Sequence, residues 1–187
     1  MSDEGISRPG ALMILQYLRE NPGRALLTSP FSAPLKAWAL FPLFVLFALA
    51  VGFPAGLLEF DPLETGFALL LPFTLLVFPS LLEELFFRGL LIPRRVSALG
   101  RAAVWRSILL STLAFVAWHP LNALLINHSA IPLFLNPWFL VIAAALGVTC
   151  GYGYVVSRSI WVPVIIHWST VCIWVLLLGG RNLVLEI

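Results

Sequence analysis

The chain has 187 residues, of which 60% are hydrophobic and 11% are charged, and its formal net charge at pH 7 is +2. Soluble domains carry about 25% charged residues, so the composition excludes an ordinary soluble protein and indicates an all-α, multi-pass transmembrane bundle. The small net charge, scattered between apolar segments, gives no reason to expect a nucleic acid as partner.

The N-terminal arm, residues 1–33, is more polar than the rest of the chain. Within it, residues 11–20 predict a short amphipathic helix that ends at Asn21-Pro22-Gly23, and we expect this helix to lie on the membrane surface. The arm holds acidic as well as basic residues and no small-residue cleavage site, so we expect no removable signal peptide. Residues 34–187 then form a single transmembrane domain.

Five apolar segments follow the arm. About 20 apolar residues are needed to cross a hydrocarbon core about 30 Å thick, and the segments that satisfy this lie at roughly residues 37–58, 66–92, 106–126, 137–157 and 160–178. Prolines within or near these segments predict that several of the helices are kinked or broken.

Basic residues flank the segments mainly on one side, and the other side has no Lys or Arg before Arg181, which follows the last segment. They lie before the first segment (Arg8, Arg19, Arg24, Lys36), between the second and third (Arg94, Arg95, Arg101, Arg106) and between the fourth and fifth (Arg158). The loop on the other side after the first segment carries Glu59, Asp61 and Glu64. The positive-inside rule therefore predicts a cytoplasmic N-terminus and a C-terminus on the opposite side. We expect a multi-pass protein of the plasma (inner) membrane.

The second segment contains three ionisable side chains, Glu83, Glu84 and Arg88. Each costs roughly 2.5 to 3.5 kcal/mol at the centre of a membrane helix, so such residues usually face a bundle interior or a wet cavity. Glu84 and Arg88 are four residues apart, with the acid N-terminal to the base, which predicts an ion pair on one helix face. Glu83 projects about 100° away and has no local partner.

Ionisable side chains of three different segments reach a similar depth. Counting about 1.5 Å per residue from the flanking arginines places Glu84 about 15 Å from Arg94, His119 about 20 Å from Arg106 and His167 about 14 Å from Arg158. A carboxylate and two imidazoles near mid-membrane can activate water for hydrolysis. A structural charge network or a proton relay uses the same residue types, although the sequence lacks the internal repeat typical of transporters.

Three motifs occur in order on successive apolar segments: Glu83-Glu84-x-x-x-Arg88, Phe115-x-x-x-His119 and His167. Together they resemble the CAAX-processing and bacteriocin-processing (CPBP, Abi-type) intramembrane endopeptidases over about residues 66–178. The resemblance implies a protease that cuts a membrane-anchored protein or lipidated peptide near the bilayer.

The resemblance also implies a role for each motif residue. Glu83 with His119 would activate a water, and His167 would help to stabilise the oxyanion. Glu84 and Arg88 would position the helix that carries the first motif.

One position departs from the family pattern, because family members commonly carry an asparagine four residues after the last histidine, where this chain has Val171. Thr170 and Asn122 are the candidate substitutes for this oxyanion donor. The departure keeps open a non-catalytic alternative, a membrane binding or immunity protein.

Zinc is the alternative to a purely glutamate-based mechanism. Glu83, Glu84, His119 and His167 could ligate the metal, as similar sets do in metal hydrolases. The sequence has no HExxH pair on one helix, so we expect no cofactor.

Overall fold

A computed structural model of the chain describes residues 9–64 and 69–180. The beginning of the predicted second segment, and Arg8 of the arm, lie outside these ranges. The described α-helices are α1 Pro9–Leu18, α2 Arg24–Leu26, α3 Leu40–Gly52, α4 Leu71–Leu75, α5 Leu82–Glu84, α6 Arg101–Leu125, α7 Ile131–Phe134, α8 Pro137–Ser157 and α9 Trp161–Leu177. Between them, β pairing within the described residues is limited to one isolated bridge between Asp61 and Leu178.

Three described helices are long and apolar enough to cross a membrane. They are Leu35–Gly52, in which a 3-10 turn precedes α3, then α6 and α8. Helix α9 is also apolar but shorter. These helices correspond to the first, third, fourth and fifth predicted segments, and they confirm the predicted all-α membrane bundle.

The second predicted segment is helical but not continuous. We call residues 71–90 the interrupted helix, because α4 and α5 alternate in it with π-helical turns at Leu76–Leu81 and Leu85–Leu90. Phe78 is extended, with φ −130° and ψ 121°, since the residue before a proline is pushed away from helical geometry and Pro79 offers no N–H. The break lies one turn before Glu83.

Helix α8 lies at the centre of the bundle and packs against α3, α6 and α9. Its glycines allow α6 to approach closely. A Cβ atom at Gly147 would lie 2.8 Å from Thr112 Cγ2, and one at Gly151 would lie 3.0 Å from Ile108 Cγ2. Small residues at helix contacts serve this purpose in membranes.

The N-terminal arm is attached to the ends of the bundle helices by hydrogen bonds. Tyr17 Oη donates to Leu90 O at 2.6 Å, and Ser159 Oγ donates to Thr28 O at 2.6 Å. Four neighbouring apolar side chains of α1 stay exposed: Leu12, Met13, Ile14 and Leu15. This exposed apolar surface fits the predicted membrane-surface helix.

Candidate active site

The Glu84 and Arg88 side chains form a fully buried ion pair. Arg88 Nε lies 3.1 Å from Glu84 Oε2, and both side chains are 0% exposed. This is the pair that the spacing of four residues predicts. Arg88 also donates to Gly147 O at 3.3 Å and lies over the Phe115 ring at 4.5 Å, so it connects the interrupted helix to α6 and α8.

His167 of α9 lies between the two glutamates of the first motif. Its Nδ1 is 3.0 Å from Glu84 Oε1, while its Nε2 is 4.0 Å from Glu83 Oε2. An ionised carboxylate only accepts hydrogen bonds, so we assign the proton of this contact to Nδ1. The separation of 4.0 Å exceeds a direct hydrogen bond, and a water molecule can bridge two groups at this distance.

Glu83 receives a hydrogen bond from a residue that sequence reasoning did not pair with it. Trp118 Nε1 donates to Glu83 Oε1 at 3.3 Å, and the Glu83 side chain remains 14% exposed. Glu83 therefore contacts Trp118 and His167 and keeps some access to the cavity described below. The sequence feature that could have indicated this contact is the position of Trp118 directly before His119.

His119 of α6 is held in one orientation by its own helix and by aromatic rings. Its Nδ1 lies 2.9 Å from Phe115 O, and because a carbonyl only accepts, Nδ1 carries the proton and Nε2 of the neutral ring is an acceptor. The rings of Phe115, Phe134 and Phe139 surround it at centroid distances of 4.9, 5.1 and 5.2 Å.

A cavity of about 420 Å³ brings together five of the predicted site residues, Glu83, His119, Asn122, His167 and Thr170, whereas Glu84 and Arg88 do not line it. Its walls come from α3, the interrupted helix, α6, α7, α8 and α9, and most of its lining is apolar. The polar or ionisable side chains among its lining residues are Glu83, Trp118, His119, Asn122, Asn127, His167, Thr170 and Trp174. An apolar cavity with a few convergent polar groups is the usual form of a small-molecule or peptide site.

The position of the missing asparagine, Val171, lines this cavity. Thr170 lines it as well, but its hydroxyl donates to Ile166 O at 2.8 Å, so its proton is already used. Asn122 also lines the cavity, and its side-chain amide carries two N–H donors. Asn122 is therefore the better substitute of the two.

Asn127 is a further polar residue at the cavity that the sequence did not identify as part of the site. Its Oδ1 accepts a hydrogen bond from Ser129 Oγ at 2.5 Å. It follows α6 in a polar loop, and no spacing rule connects such a loop position to a site between helices.

Among residues 9–64 and 69–180, no three His, Cys, Asp or Glu side chains are grouped so that they could hold a metal ion. Glu84 illustrates the reason, because its carboxylate oxygens face Arg88 and His167 Nδ1. The zinc alternative thus has no preformed ligand set in the described part of the chain, and the chelator experiment below addresses it directly.

Comparison with known proteins adds one finding. The family model described as type II CAAX prenyl endopeptidase Rce1-like matches residues 65–173, more than half of the chain. The matched range includes all three motifs. No curated protein and no solved structure gives a significant match.

Proposed function

The chain belongs to the type II CAAX prenyl endopeptidase Rce1-like family, and from this premise we propose that it is an intramembrane endopeptidase of the glutamate type. It hydrolyses a peptide bond of a membrane-anchored protein or lipidated peptide. The observation that carries the proposal is the convergence of Glu83, His119 and His167, from three helical segments, on one cavity.

The protein is an integral membrane protein, as its family and its apolar helices indicate. We place it in the plasma (inner) membrane with the N-terminus in the cytoplasm. This orientation rests on the basic residues that flank the predicted segments on one side.

Glu83 is the general base of the proposed reaction. It takes a proton from a water molecule, and the water oxygen forms a bond to the carbonyl carbon of the substrate. When the tetrahedral intermediate collapses, the C–N bond breaks and the proton passes from Glu83 to the departing amine. The hydrogen bond from Trp118 Nε1 holds the Glu83 carboxylate in place.

The two histidines have different roles because their Nδ1 atoms have different partners. His119 donates from Nδ1 to a backbone carbonyl, so its Nε2 accepts a hydrogen bond from the attacking water. His167 donates from Nδ1 to the Glu84 carboxylate, which holds the ring with its Nε2 on the side of Glu83. The oxyanion role that we propose for His167 requires the protonated form of the ring. A protonated His167 carries an N–H on Nε2, and this is the donor that an oxyanion requires.

Asn122 supplies the second oxyanion donor in place of the family asparagine. It lies one helical turn after His119 on α6 and lines the same cavity. Glu84 and Arg88 are positioning residues, since they hold His167 and the interrupted helix through buried contacts.

The apolar walls of the cavity fit a substrate with an apolar or lipidated segment. Its apolar lining includes Phe41, Phe44 and Val45 of α3, Phe134 of α7 and Phe139 of α8. A prenylated C-terminal peptide, the substrate class in the description of the family, is the first candidate.

The test uses purified protein reconstituted in liposomes and compares wild type with Glu83→Gln and a matched control, Glu59→Gln. Glu59 is an exposed carboxylate in the loop after α3. Prenylated, unprenylated and transmembrane peptides are incubated with each protein, and mass spectrometry identifies the products. We expect cleavage by wild type and Glu59→Gln and a loss of at least about 10²-fold in Glu83→Gln.

A strong chelator in a parallel series separates the two mechanisms. Unchanged cleavage supports the glutamate mechanism, while loss with chelator and recovery with zinc supports the metal alternative. If folded wild-type protein cleaves no peptide of the panel, the protease proposal fails. The non-catalytic binding role, which Val171 favours, then replaces it.

A further inference from the structure

A second cavity, of about 490 Å³, lies away from the candidate active site. Four arginines and one glutamate line it: Arg24, Arg94, Arg95, Arg158 and Glu20. We infer that this arginine pocket binds the phosphate group of an anionic phospholipid. This binding site is separate from the proposed protease activity and does not depend on it.

The arginine pocket is at the end of the membrane-spanning helices. Arg158 directly follows α8, and Arg94 and Arg95 lie just after the interrupted helix ends at Leu90. Arg24 precedes the span Leu35–Gly52. The ends of spanning helices lie at the level of the lipid headgroups, so these guanidinium groups are placed where lipid phosphates occur.

Arg94 lines the pocket and is held in place by hydrogen bonds. The Arg94 backbone N–H donates to Asn21 Oδ1 at 2.8 Å, and its guanidinium donates to Thr28 Oγ1 at 2.8 Å and to Arg158 O at 3.3 Å. These bonds connect the arm with the loop after the interrupted helix and with the end of α8. The pocket is therefore held together by its own polar contacts.

Two of the four guanidinium groups are available to a ligand. Arg95 and Arg158 are exposed, and within residues 9–64 and 69–180 their guanidinium groups make no hydrogen bond or ion pair. Arg24 is paired with Glu20 at 3.2 Å, so Glu20 offsets one charge and the pocket keeps an excess of positive charge. Guanidinium groups bind phosphate oxygens through paired hydrogen bonds.

The backbone of Arg158 is a second, independent observation. It has φ 58° and ψ 15° at the end of α8, the left-handed conformation. Glycine is the favoured residue there, because a side chain is disfavoured in this region. Arginine occupies this position although the backbone favours glycine, and its exposed guanidinium lines the pocket.

The surface next to the pocket indicates that the bound phosphate belongs to a lipid. Helix α1 contributes Gln16 to the pocket, and the π-helical turn Arg19–Gly23 that follows it contributes Glu20. The same helix exposes Leu12, Met13 and Ile14. Exposed apolar side chains on a helix beside clustered arginines are typical of contact with anionic membrane surfaces. Inorganic phosphate offers the same oxygen atoms but has no acyl chain to contact the apolar side chains.

The experiment measures lipid binding by the purified full-length protein in mild detergent. The probes are a short-chain phosphatidylglycerol, a short-chain phosphatidylcholine and inorganic phosphate, and native mass spectrometry or fluorescence titration gives the affinity. The variants are Arg95→Gln and Arg158→Gly, with Arg101→Gln as a control for charge outside the pocket. Arg101 is exposed and begins α6.

We expect phosphatidylglycerol to bind more tightly than phosphatidylcholine and inorganic phosphate. Each pocket variant should weaken phosphatidylglycerol binding about fivefold, while Arg101→Gln changes it less than about twofold. Arg158→Gly should keep or raise the melting temperature, because glycine relieves the left-handed conformation.

Four results would overturn the inference. Equal binding of phosphatidylcholine shows that the anionic headgroup is not recognised. If Arg101→Gln weakens binding as much as the pocket variants do, the general positive charge of the surface explains the binding. Competition by inorganic phosphate at matched concentration assigns the pocket to free phosphate. A lower melting temperature of Arg158→Gly shows a structural role for the Arg158 side chain.

Discussion

Replacement of Arg88 by methionine tests whether the buried ion pair holds the bundle together. Methionine keeps most of the apolar stem of the side chain and removes the charge. The Glu84 carboxylate would lose its partner at 3.1 Å while it remains fully buried. The contacts of Arg88 with Gly147 O and with the Phe115 ring would also be lost.

The expected loss of stability is large because neither side chain of the pair has access to solvent. Removal of one partner from a buried pair costs about 3 to 5 kcal/mol, since an uncompensated charge stays behind. A value of about 4 kcal/mol corresponds to roughly a thousandfold shift of the folding equilibrium. A pair on the surface would change stability by only about 0 to 1 kcal/mol.

The assay is equilibrium unfolding of the purified protein in mixed detergent micelles, followed by tryptophan fluorescence. The double variant Glu84→Gln, Arg88→Met removes both charges and should recover part of the loss. Exposed Arg101→Gln is the control. A loss below about 1 kcal/mol for Arg88→Met, or a double variant that is less stable than the single one, would refute this account of the pair.

Three further variants test individual contacts. Asn122→Ala should lower kcat for peptide cleavage by about 10² to 10³-fold without a change in melting temperature; unchanged kcat would exclude it as an oxyanion donor. Trp118→Phe removes the hydrogen bond to Glu83 and should lower kcat about tenfold with KM unchanged; an equal rise in KM would contradict a positioning role. Gly147→Ala places a Cβ atom 2.8 Å from Thr112 Cγ2 and should cost about 1 to 3 kcal/mol in the unfolding assay, whereas a neutral effect would show that α6 can move.

The interrupted helix illustrates what hydropathy misses. Residues 66–92 read as one long, mostly apolar segment with Glu83, Glu84 and Arg88 as its ionisable residues, and the prolines within it predict only that a break occurs somewhere. The structure has the break at Phe78, before Pro79, whereas Pro120 lies inside the continuous helix α6. A proline leaves a backbone carbonyl of the preceding turn without its usual N–H partner. Whether the helix breaks there depends on the hydrogen bonds and packing that neighbouring elements provide, and hydropathy does not report these.

The candidate site also combines a contact that the sequence predicts with contacts that it does not predict. The Glu84 and Arg88 pair was predictable because both residues lie on one helix, where the backbone repeat sets their separation. Trp118, the hydrogen-bond donor to Glu83, is 35 residues away from it. Two residues of different helices meet only if the faces that carry them pack together, and no local spacing reports this.

Hydropathy and the helical repeat are local properties of the chain, so the class of the protein, the order of its motifs and the spacing within each motif can be predicted without a structure. The contact of His167 with Glu84 across 83 residues, and the pocket that Arg24, Arg94 and Arg158 line together, emerge only when the helices pack. These meetings depend on helix packing, which is a property of all the contacting faces together and of no single segment.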